Sequence, residues 1–150
     1  MYKKWHPTEL MEFAKTSLQG GKYNLGRSSV PSITNLSDLP GSPFEFHPWG
    51  INMFGHEGLK VILSDWYCAN PENILIAQGT SQANFLMAGA ILADGGTAIV
   101  EAPTYQPILC GIQVFSDQLI RLPRRKENLF QPEPEEFRKL LTSDTKLVWL

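Results

Sequence analysis

A polar turn between two apolar runs carries residues suited to bind an anion. Residues 74–77 are apolar, residues 79–82 read Gly-Thr-Ser-Gln, and residues 83–93 form a second apolar run. This order predicts a buried strand, a tight turn and a helix, which directs free main-chain N–H groups and the helix dipole at an anion. Thr80 and Ser81 add hydroxyl donors. The alternative interpretation is an ordinary capped strand-to-helix turn.

An aromatic residue follows the next predicted strand. Residues 101–105 read Glu-Ala-Pro-Thr-Tyr and come at the end of an apolar run. Stacked aromatic rings gain about 0.5–1.5 kcal/mol beyond their burial. Because ligands of parallel sheets bind at the carboxyl ends of the strands, the turn and Tyr105 together predict a site for a flat, phosphorylated cofactor. The alternative is a tyrosine that only covers the end of the sheet.

Helices and strands must alternate to bring these two segments to one edge. From residue 55 onward they do, which predicts an α/β fold with a mostly parallel sheet and helices on both faces. Residues 22–54 are rich in Ser, Pro, Gly and Asn, and we interpret them as an arm that crosses a site or a neighbouring subunit. We expect an N-terminal helix and arm over residues 1–50 and the front part of a cofactor-binding α/β domain over residues 51–150. The periodicity predicts helices at 7–18, 56–67, 82–93, 105–115 and after Pro134, and strands at 73–77, 97–102, 118–122 and 146–150.

Composition excludes several classes of partner. Thirteen Lys and Arg against fifteen Asp and Glu give a net charge of −2, which argues against a nucleic-acid surface. No run approaches the ~18 apolar residues of a membrane span. The two cysteines form no CxxC motif, and no apolar segment follows Lys3 and Lys4, so we expect a reduced, cytoplasmic compartment. The three histidines have no metal-ligand spacing, so no metal site is expected. The basic cluster at residues 121–126 is interpreted as a solvated turn.

Several short segments occur in an order and spacing that one enzyme family shares. They are residues 55–60 (Gly-His-Glu-Gly-Leu-Lys), 71–76 with 79–83, 93–97 (Ala-Asp-Gly-Gly-Thr), 101–105 and 145–150 (Thr-Lys-Leu-Val-Trp-Leu). In these segments the chain resembles the amino-terminal part of the class I/II aminotransferases, the fold type I enzymes that depend on pyridoxal 5'-phosphate. The resemblance covers roughly residues 22–150.

The resemblance implies a cofactor, a reaction and site residues. Thr80, Ser81 and Gln82 would hold the phosphate of pyridoxal 5'-phosphate, and Tyr105 would stack on its ring. Ser29 stands where many relatives have a glycine in the substrate-binding loop. The reaction would transfer an amino group from an amino acid to a 2-oxo acid. A homodimer is also implied, with the long arm as one of its contacts.

Two alternatives remain beside the aminotransferase. No lysine of the sequence lies in the context of the family's Schiff-base lysine, and the last predicted strand, 146–150, reaches the end of the chain. We therefore expect this chain to be the front portion of a longer protein. A lyase of the same fold is one alternative, because the front half does not set the reaction outcome. A non-catalytic α/β module that binds a phosphorylated metabolite is the other, if the chain ends at residue 150.

Overall fold

The computed structural model describes residues 8–17, 22–23, 26, 35, 37 and 55–150. These residues form two compact units. One joins the described part of Met1–Lys15 to Ala77–Leu150, and the other is the described part of Thr16–Ile76. The division into 1–50 and 51–150 stays a prediction. Among the helices of the described residues, none is long and apolar enough to cross a membrane.

The two N-terminal helices predicted from the sequence are confirmed. Helix α1 covers Glu9–Ser17 and helix α2 covers Glu57–Tyr67. His56 caps α2, because its Nδ1 accepts a hydrogen bond from the Leu59 N–H at 3.2 Å, which satisfies one of the N–H groups that a helix start leaves free. The helix ends at Cys68, which has a left-handed φ of +49°.

The strand predicted at residues 73–77 is wrong. Pro71–Asn73 form a 3₁₀ turn, which Asn70 caps by accepting a hydrogen bond from the Glu72 N–H at 3.0 Å. Residues 74–78 then run without regular structure, and Leu75 is 73% exposed. A short apolar run makes a strand only where a neighbouring strand pairs with it. The sheet that the described residues form does not include this segment.

A parallel sheet of three strands confirms the α/β prediction. Strand β1 covers Thr97–Ala102, β2 covers Gln118–Pro123 and β3 covers Thr145–Trp149. The strand order is β2-β1-β3, with both pairings parallel. The pairing of β1 with β3 is irregular between Thr97 and Ala98. The three strands lie within a residue of the ranges predicted from the sequence.

Helices α3 (Gly79–Ile91) and α4 (Gln106–Phe115) cover one face of this sheet. Side chains alternate between faces along a strand, so Ala98 and Val100 of β1 share a face. Both are fully buried, and they belong to one apolar cluster with the helix residues Ala88 and Ile112. The main core of the described chain therefore lies between the sheet and these two helices.

Helix α5 (Pro134–Leu140) packs on the other face. Arg121 of β2 pairs with Val100, so the next residue, Leu122, points to the opposite side of the sheet. Leu122 is fully buried and lines a small apolar cavity with Pro134 and Phe137. Helices on both faces are thereby confirmed.

The connections explain why α4 and α5 lie on opposite faces. The chain passes from β1 through α4 to β2 on one side, and then through α5 back across β1 to β3 on the other side. Parallel crossovers are right-handed in about 98% of cases. The chain moves across the sheet in one direction from β1 to β2 and in the opposite direction from β2 to β3. Right-handed crossovers therefore place α4 and α5 on opposite faces.

A double-glycine turn sets the start of β1. Gly95 and Gly96 have φ angles of +71° and +114°, a region that favours glycine. The Asp117 carboxylate accepts a hydrogen bond from the Gly96 N–H at 2.8 Å, and the Asp117 N–H donates to the Gly96 carbonyl at 2.9 Å. Asp117 thus joins the turn to the residue before β2.

Candidate functional site

The predicted anion-binding turn is the first turn of α3. The helix begins at Gly79, three residues before its predicted start, with a φ of +75° at that glycine. Thr80 and Ser81 follow it and are exposed. Among the described residues, no N-cap side chain binds this end of the helix, and no acidic residue lies in its first turn. The first N–H groups of a helix have no acceptor within the helix, so this end keeps its capacity to bind an anion.

The three predicted phosphate-binding residues divide into two kinds. The Gln82 side chain accepts a hydrogen bond from the Gln78 N–H at 2.5 Å. It therefore satisfies the N–H group of the N-cap residue Gln78, as the Glu or Gln side chain of a capping box does. Thr80 and Ser81 carry the hydroxyl groups of this turn. A Cβ built on Gly79 would have no atom of the described structure within 4 Å, so there is open space beside the backbone where the helix starts.

Tyr105 lies at the start of the neighbouring helix. It is the N-cap residue of α4, and its carbonyl accepts hydrogen bonds from the Ile108 N–H at 3.1 Å and the Leu109 N–H at 3.4 Å. The residue is 47% exposed. The hydroxyl group donates to the Met11 sulfur at 3.5 Å, which is a weak contact because a thioether is a poor acceptor. The ring thus keeps an exposed surface.

The starts of α3 and α4 lie at the same edge of the sheet. The Phe85 ring is 4.9 Å from the Phe115 ring, and Phe115 also lies against Gly89. Phe85 in addition lies nearest to Gly111. The earlier residues, Phe85 of α3 and Gly111 of α4, lie together, and so do the later residues, Gly89 and Phe115. The two helices therefore run parallel. Because α4 starts directly after β1, both helix starts lie at the carboxyl ends of the strands.

This edge is also where the strand order reverses. The connection after β1 leads to β2 on one side, whereas β3 lies on the other side of β1. In doubly wound sheets the ligand crevice opens at such a switch point. The prediction that Gly79–Gln82 and Tyr105 emerge at one edge is met by this topology, although the first of the two expected strands does not form.

Helix α1 lies against the start of α4. The Gln106 side chain accepts a hydrogen bond from the Leu10 N–H at 2.9 Å, close to the contact between Tyr105 and Met11. No residue of α1 is buried. These contacts have no signal in the sequence, because they join residues separated by more than ninety positions.

Two arginines of the predicted solvated turn hold the end of β1. Arg124 is paired with the Glu101 carboxylate, and its N–H donates to the Ala102 carbonyl at 2.7 Å. Arg121 donates from Nη2 to the Glu101 carbonyl at 2.9 Å. The side chains of Arg124 and Glu101 are only 26% and 19% exposed. The interpretation of residues 121–126 as a solvated turn is therefore wrong for these two arginines.

The remaining charged cluster joins the residues after β2 to α5. Arg125 donates to both carboxylate oxygens of Glu136, at 2.5 and 2.9 Å. This hydrogen bond lowers the pKa of the Glu136 carboxyl and raises the pKa of Arg125 above its ordinary value. Within the described residues, no three His, Cys, Asp or Glu side chains group as metal ligands would.

Ser29, the predicted substrate-binding residue, lies outside the described residues. Its role stays a prediction, as do the roles of Thr80, Ser81, Gln82 and Tyr105. The residues present fit a phosphorylated cofactor. The N–H groups of Thr80 and Ser81 have no acceptor within α3. The first turn also has two hydroxyls and no acidic residue, and an exposed aromatic ring lies at the same sheet edge.

Comparison with known proteins finds aminotransferases. The chain is 26% identical over 77 residues to an aspartate aminotransferase of Pyrococcus horikoshii, a match that covers 51% of this chain and 20% of that protein. It is 26% identical over 73 residues to a 2-aminoadipate transaminase of Thermus thermophilus, a match that covers 49% of this chain and 18% of that protein. No protein-family model matches the chain.

A solved structure shares the fold. The α-aminoadipate aminotransferase LysN of Thermus thermophilus, solved with N-(5'-phosphopyridoxyl)-L-leucine, superimposes with a TM-score of 0.55 at 22% identity. The superposition covers 65% of this chain and 24% of that one. The chain thus spans about a fifth of the length of the curated relatives it matches. These findings confirm the resemblance to part of a class I/II aminotransferase.

Proposed function

We propose that this chain is the part of a class I/II aminotransferase that binds the phosphate and the ring of pyridoxal 5'-phosphate. The observation that carries the proposal is the position of the start of α3, whose first turn has no acidic residue, and of the half-exposed Tyr105 ring, both at the carboxyl edge of a parallel sheet. The aminotransferase relatives support the same conclusion. When bound, pyridoxal 5'-phosphate supplies an electron sink for amino-group transfer.

Each residue of the edge has a distinct part in this proposal. The hydroxyls and the main-chain N–H groups of Thr80 and Ser81 bind the phosphate, which carries about −1.5 to −2 charges at neutral pH. Charge-assisted hydrogen bonds contribute roughly 1.5–3 kcal/mol each. Gln82 stays a proposed phosphate-binding residue, and its side chain accepts the hydrogen bond from the Gln78 N–H at the start of the helix. Tyr105 packs against the ring, and Ser29 contacts the substrate.

The substrates we propose are an amino acid as donor and a 2-oxo acid as acceptor. The relatives are described as acting on different amino acids, aspartate and 2-aminoadipate, so the proposal names no single donor. We propose a homodimer as the assembly, on the resemblance. A cytoplasmic location is proposed on the two free cysteines, Cys68 and Cys110.

A spectrum of the purified full-length protein tests the proposal. Pyridoxal 5'-phosphate added to the protein is expected to give a visible absorption band that differs from that of the free compound. Borohydride is expected to fix the cofactor to the protein, and an amino acid is expected to change the band before reduction. A full-length protein whose spectrum and mass stay unchanged in all three steps would contradict the proposal.

A further inference from the structure

We propose that Arg124 is a positioning residue for Tyr105. Together with Glu101 and Arg121 it fixes the end of β1, and it thereby sets the orientation of the Tyr105 ring at the carboxyl edge of the sheet. This inference rests on the proposed function only in its last step, the effect on a bound cofactor.

Arg124 joins three segments of the chain. Its main-chain N–H donates to the Ala102 carbonyl at 2.7 Å, which extends the pairing of β1 with β2 by one residue. Its guanidinium group is paired with the Glu101 carboxylate. The same group donates from Nη1 to the Phe130 carbonyl at 3.4 Å. One side chain therefore ties the end of β1 to the loop that follows β2.

Tyr105 depends on this anchor because its own side chain has little to hold it. The ring is half exposed, and its hydroxyl makes a weak contact with the Met11 sulfur. The backbone of Tyr105 is held on one side by the first turn of α4, whose N–H groups bind its carbonyl. On the other side, Arg121 binds the Glu101 carbonyl and the Arg124 N–H binds the Ala102 carbonyl, shortly before Tyr105 in the chain.

The energetics also favour a positioning role over a stabilising one. The Glu101 and Arg124 side chains are mostly buried, and the Nε atoms of Arg121 and Arg124 are buried without a hydrogen-bond partner in the described structure. Desolvation offsets much of the attraction in a buried ion pair, so such a pair adds little net stability. It does hold its partners in one geometry, since either partner left alone would be an uncompensated buried charge.

The experiment uses hydrogen exchange in the full-length protein. The amides of Arg124, Ile108 and Leu109 report directly, because the first binds the Ala102 carbonyl and the other two bind the Tyr105 carbonyl. In Arg124→Met we expect the amides at positions 108, 109 and 124 to exchange at least about threefold faster, and to be accelerated by a clearly larger factor than the core amides of Val100 and Ile120. Equal acceleration of the core amides, or no change at the three reporters, would overturn the proposal.

Two further variants keep the test decisive. Glu101→Gln retains the shape of the side chain and removes its charge, so it replaces Arg124→Met if that protein does not fold, and the same pattern is expected. In the double variant Arg124→Met/Glu101→Gln, the reporter amides should exchange no faster than in Arg124→Met alone, because both substitutions break the same interaction. Arg138→Met is the matched control, since Arg138 pairs with Glu135 on the surface, with side chains 68% and 76% exposed.

The final arm measures cofactor binding by the same proteins. We expect Arg124→Met to raise the Kd of pyridoxal 5'-phosphate about threefold to tenfold and to change the circular dichroism of the bound cofactor, while Arg138→Met changes neither. If the wild-type protein binds no cofactor, the proposed function fails, and the exchange pattern alone decides the anchoring by Arg124. If the reporter amides exchange faster in Arg124→Met but the Kd and the circular dichroism of the cofactor stay unchanged, the proposed effect of Arg124 on the Tyr105 ring is overturned.

Discussion

Neutral hydroxyl residues at the start of α3 leave the positive end of the helix dipole available. Many helices have an acidic residue in the first turn, where it is worth about 0.3–1 kcal/mol. Here the first turn contains Thr80 and Ser81 and no acid. A negative group from outside the chain can therefore take the place that an Asp or Glu would take. The same physics suggests a test in which helix stability and anion binding change in opposite directions.

The variant Ser81→Asp provides this test. In the full-length protein without cofactor, the new carboxylate should leave the thermal midpoint unchanged or raise it, because the helix dipole favours it. Affinity for pyridoxal 5'-phosphate should fall about tenfold or more, equivalent to roughly 1.4 kcal/mol or more, because the carboxylate repels the phosphate. Fluorescence titration and calorimetry measure the two quantities.

The control is Ser81→Asn, which has nearly the same shape as the aspartate without its charge. It should bind the cofactor more tightly than Ser81→Asp does. If the Asp, Asn and wild-type proteins bind with equal affinity, the phosphate does not lie at the start of α3.

At the scale of elements, α1 is joined to the start of α4 by the hydrogen bond from the Leu10 N–H to Gln106 and by the contact of the Tyr105 hydroxyl with the Met11 sulfur. A nine-residue helix is marginal in water by itself, and no residue of α1 is buried. The hydrogen bond from the Leu10 N–H to Gln106 is therefore expected to contribute to its attachment.

The substitution Gln106→Leu should fray α1. The amides of Met11 and Glu12, which bind the Thr8 carbonyl, are expected to exchange several-fold faster. Gln106→Glu keeps an acceptor oxygen in place, so it should preserve the wild-type exchange rates. Identical rates in all three proteins would show that Gln106 does not hold the helix.

A pair of Gly→Ala substitutions separates backbone conformation from helix propensity. Gly95 has a left-handed φ, and a Cβ there would overlap the Asp117 carboxylate, so Gly95→Ala should destabilise the protein by about 2 kcal/mol or more. Gly111 lies inside α4, where the nearest atom to a Cβ is 3.8 Å away. Gly111→Ala should stabilise the protein by about 0.5–1 kcal/mol. Urea denaturation measures both, and shifts of the same sign would contradict this account.

The helices and strands that the sequence predicts correctly are those that local patterns determine. Strand β1 and helix α4 were predicted because their apolar spacing, glycine turns and Pro107 are local signals. The strand at 73–77 failed because pairing is not local, and an apolar run such as Ile74–Ile76 cannot reveal whether a partner exists. The contacts of Arg124 with Glu101 and of Gln106 with Leu10 could not be predicted for the same reason, because they join residues that are distant in the sequence. At the site, the residue types pointed to the sheet edge, whereas the contacts that hold the edge came only from the structure.

At the scale of the whole molecule, the two faces of the sheet are held differently. The face under α3 and α4 is closed by fully buried apolar side chains such as Val100 and Ile112. Helix α5 contacts the other face beside Leu122 and is tied to the residues after β2 by the Arg125–Glu136 pair. The attachment of α5 should therefore depend on pH more than the main core does.

The direction of this pH dependence follows from the Glu136 carboxyl. Its pKa in the folded protein lies below its ordinary value of 4.5, first because of the hydrogen bond from Arg125. The unfolded chain therefore takes up a proton more readily than the folded protein as the pH falls. The stability from this pair is fully present above about pH 4.5 and is lost as the pH falls through the folded pKa.

The variant Glu136→Gln removes this titration. Its urea midpoint should lie slightly below that of the wild type at pH 7, because exposed ion pairs contribute little, and the difference should shrink as the pH falls below about 4.5. Denaturation of the full-length protein between about pH 3 and 7 measures the difference. Glu135→Gln, which changes a more exposed partner on the same helix, should show a smaller difference throughout. A difference between wild type and Glu136→Gln that stays constant over this range would show that the Arg125–Glu136 pair does not couple α5 to the sheet.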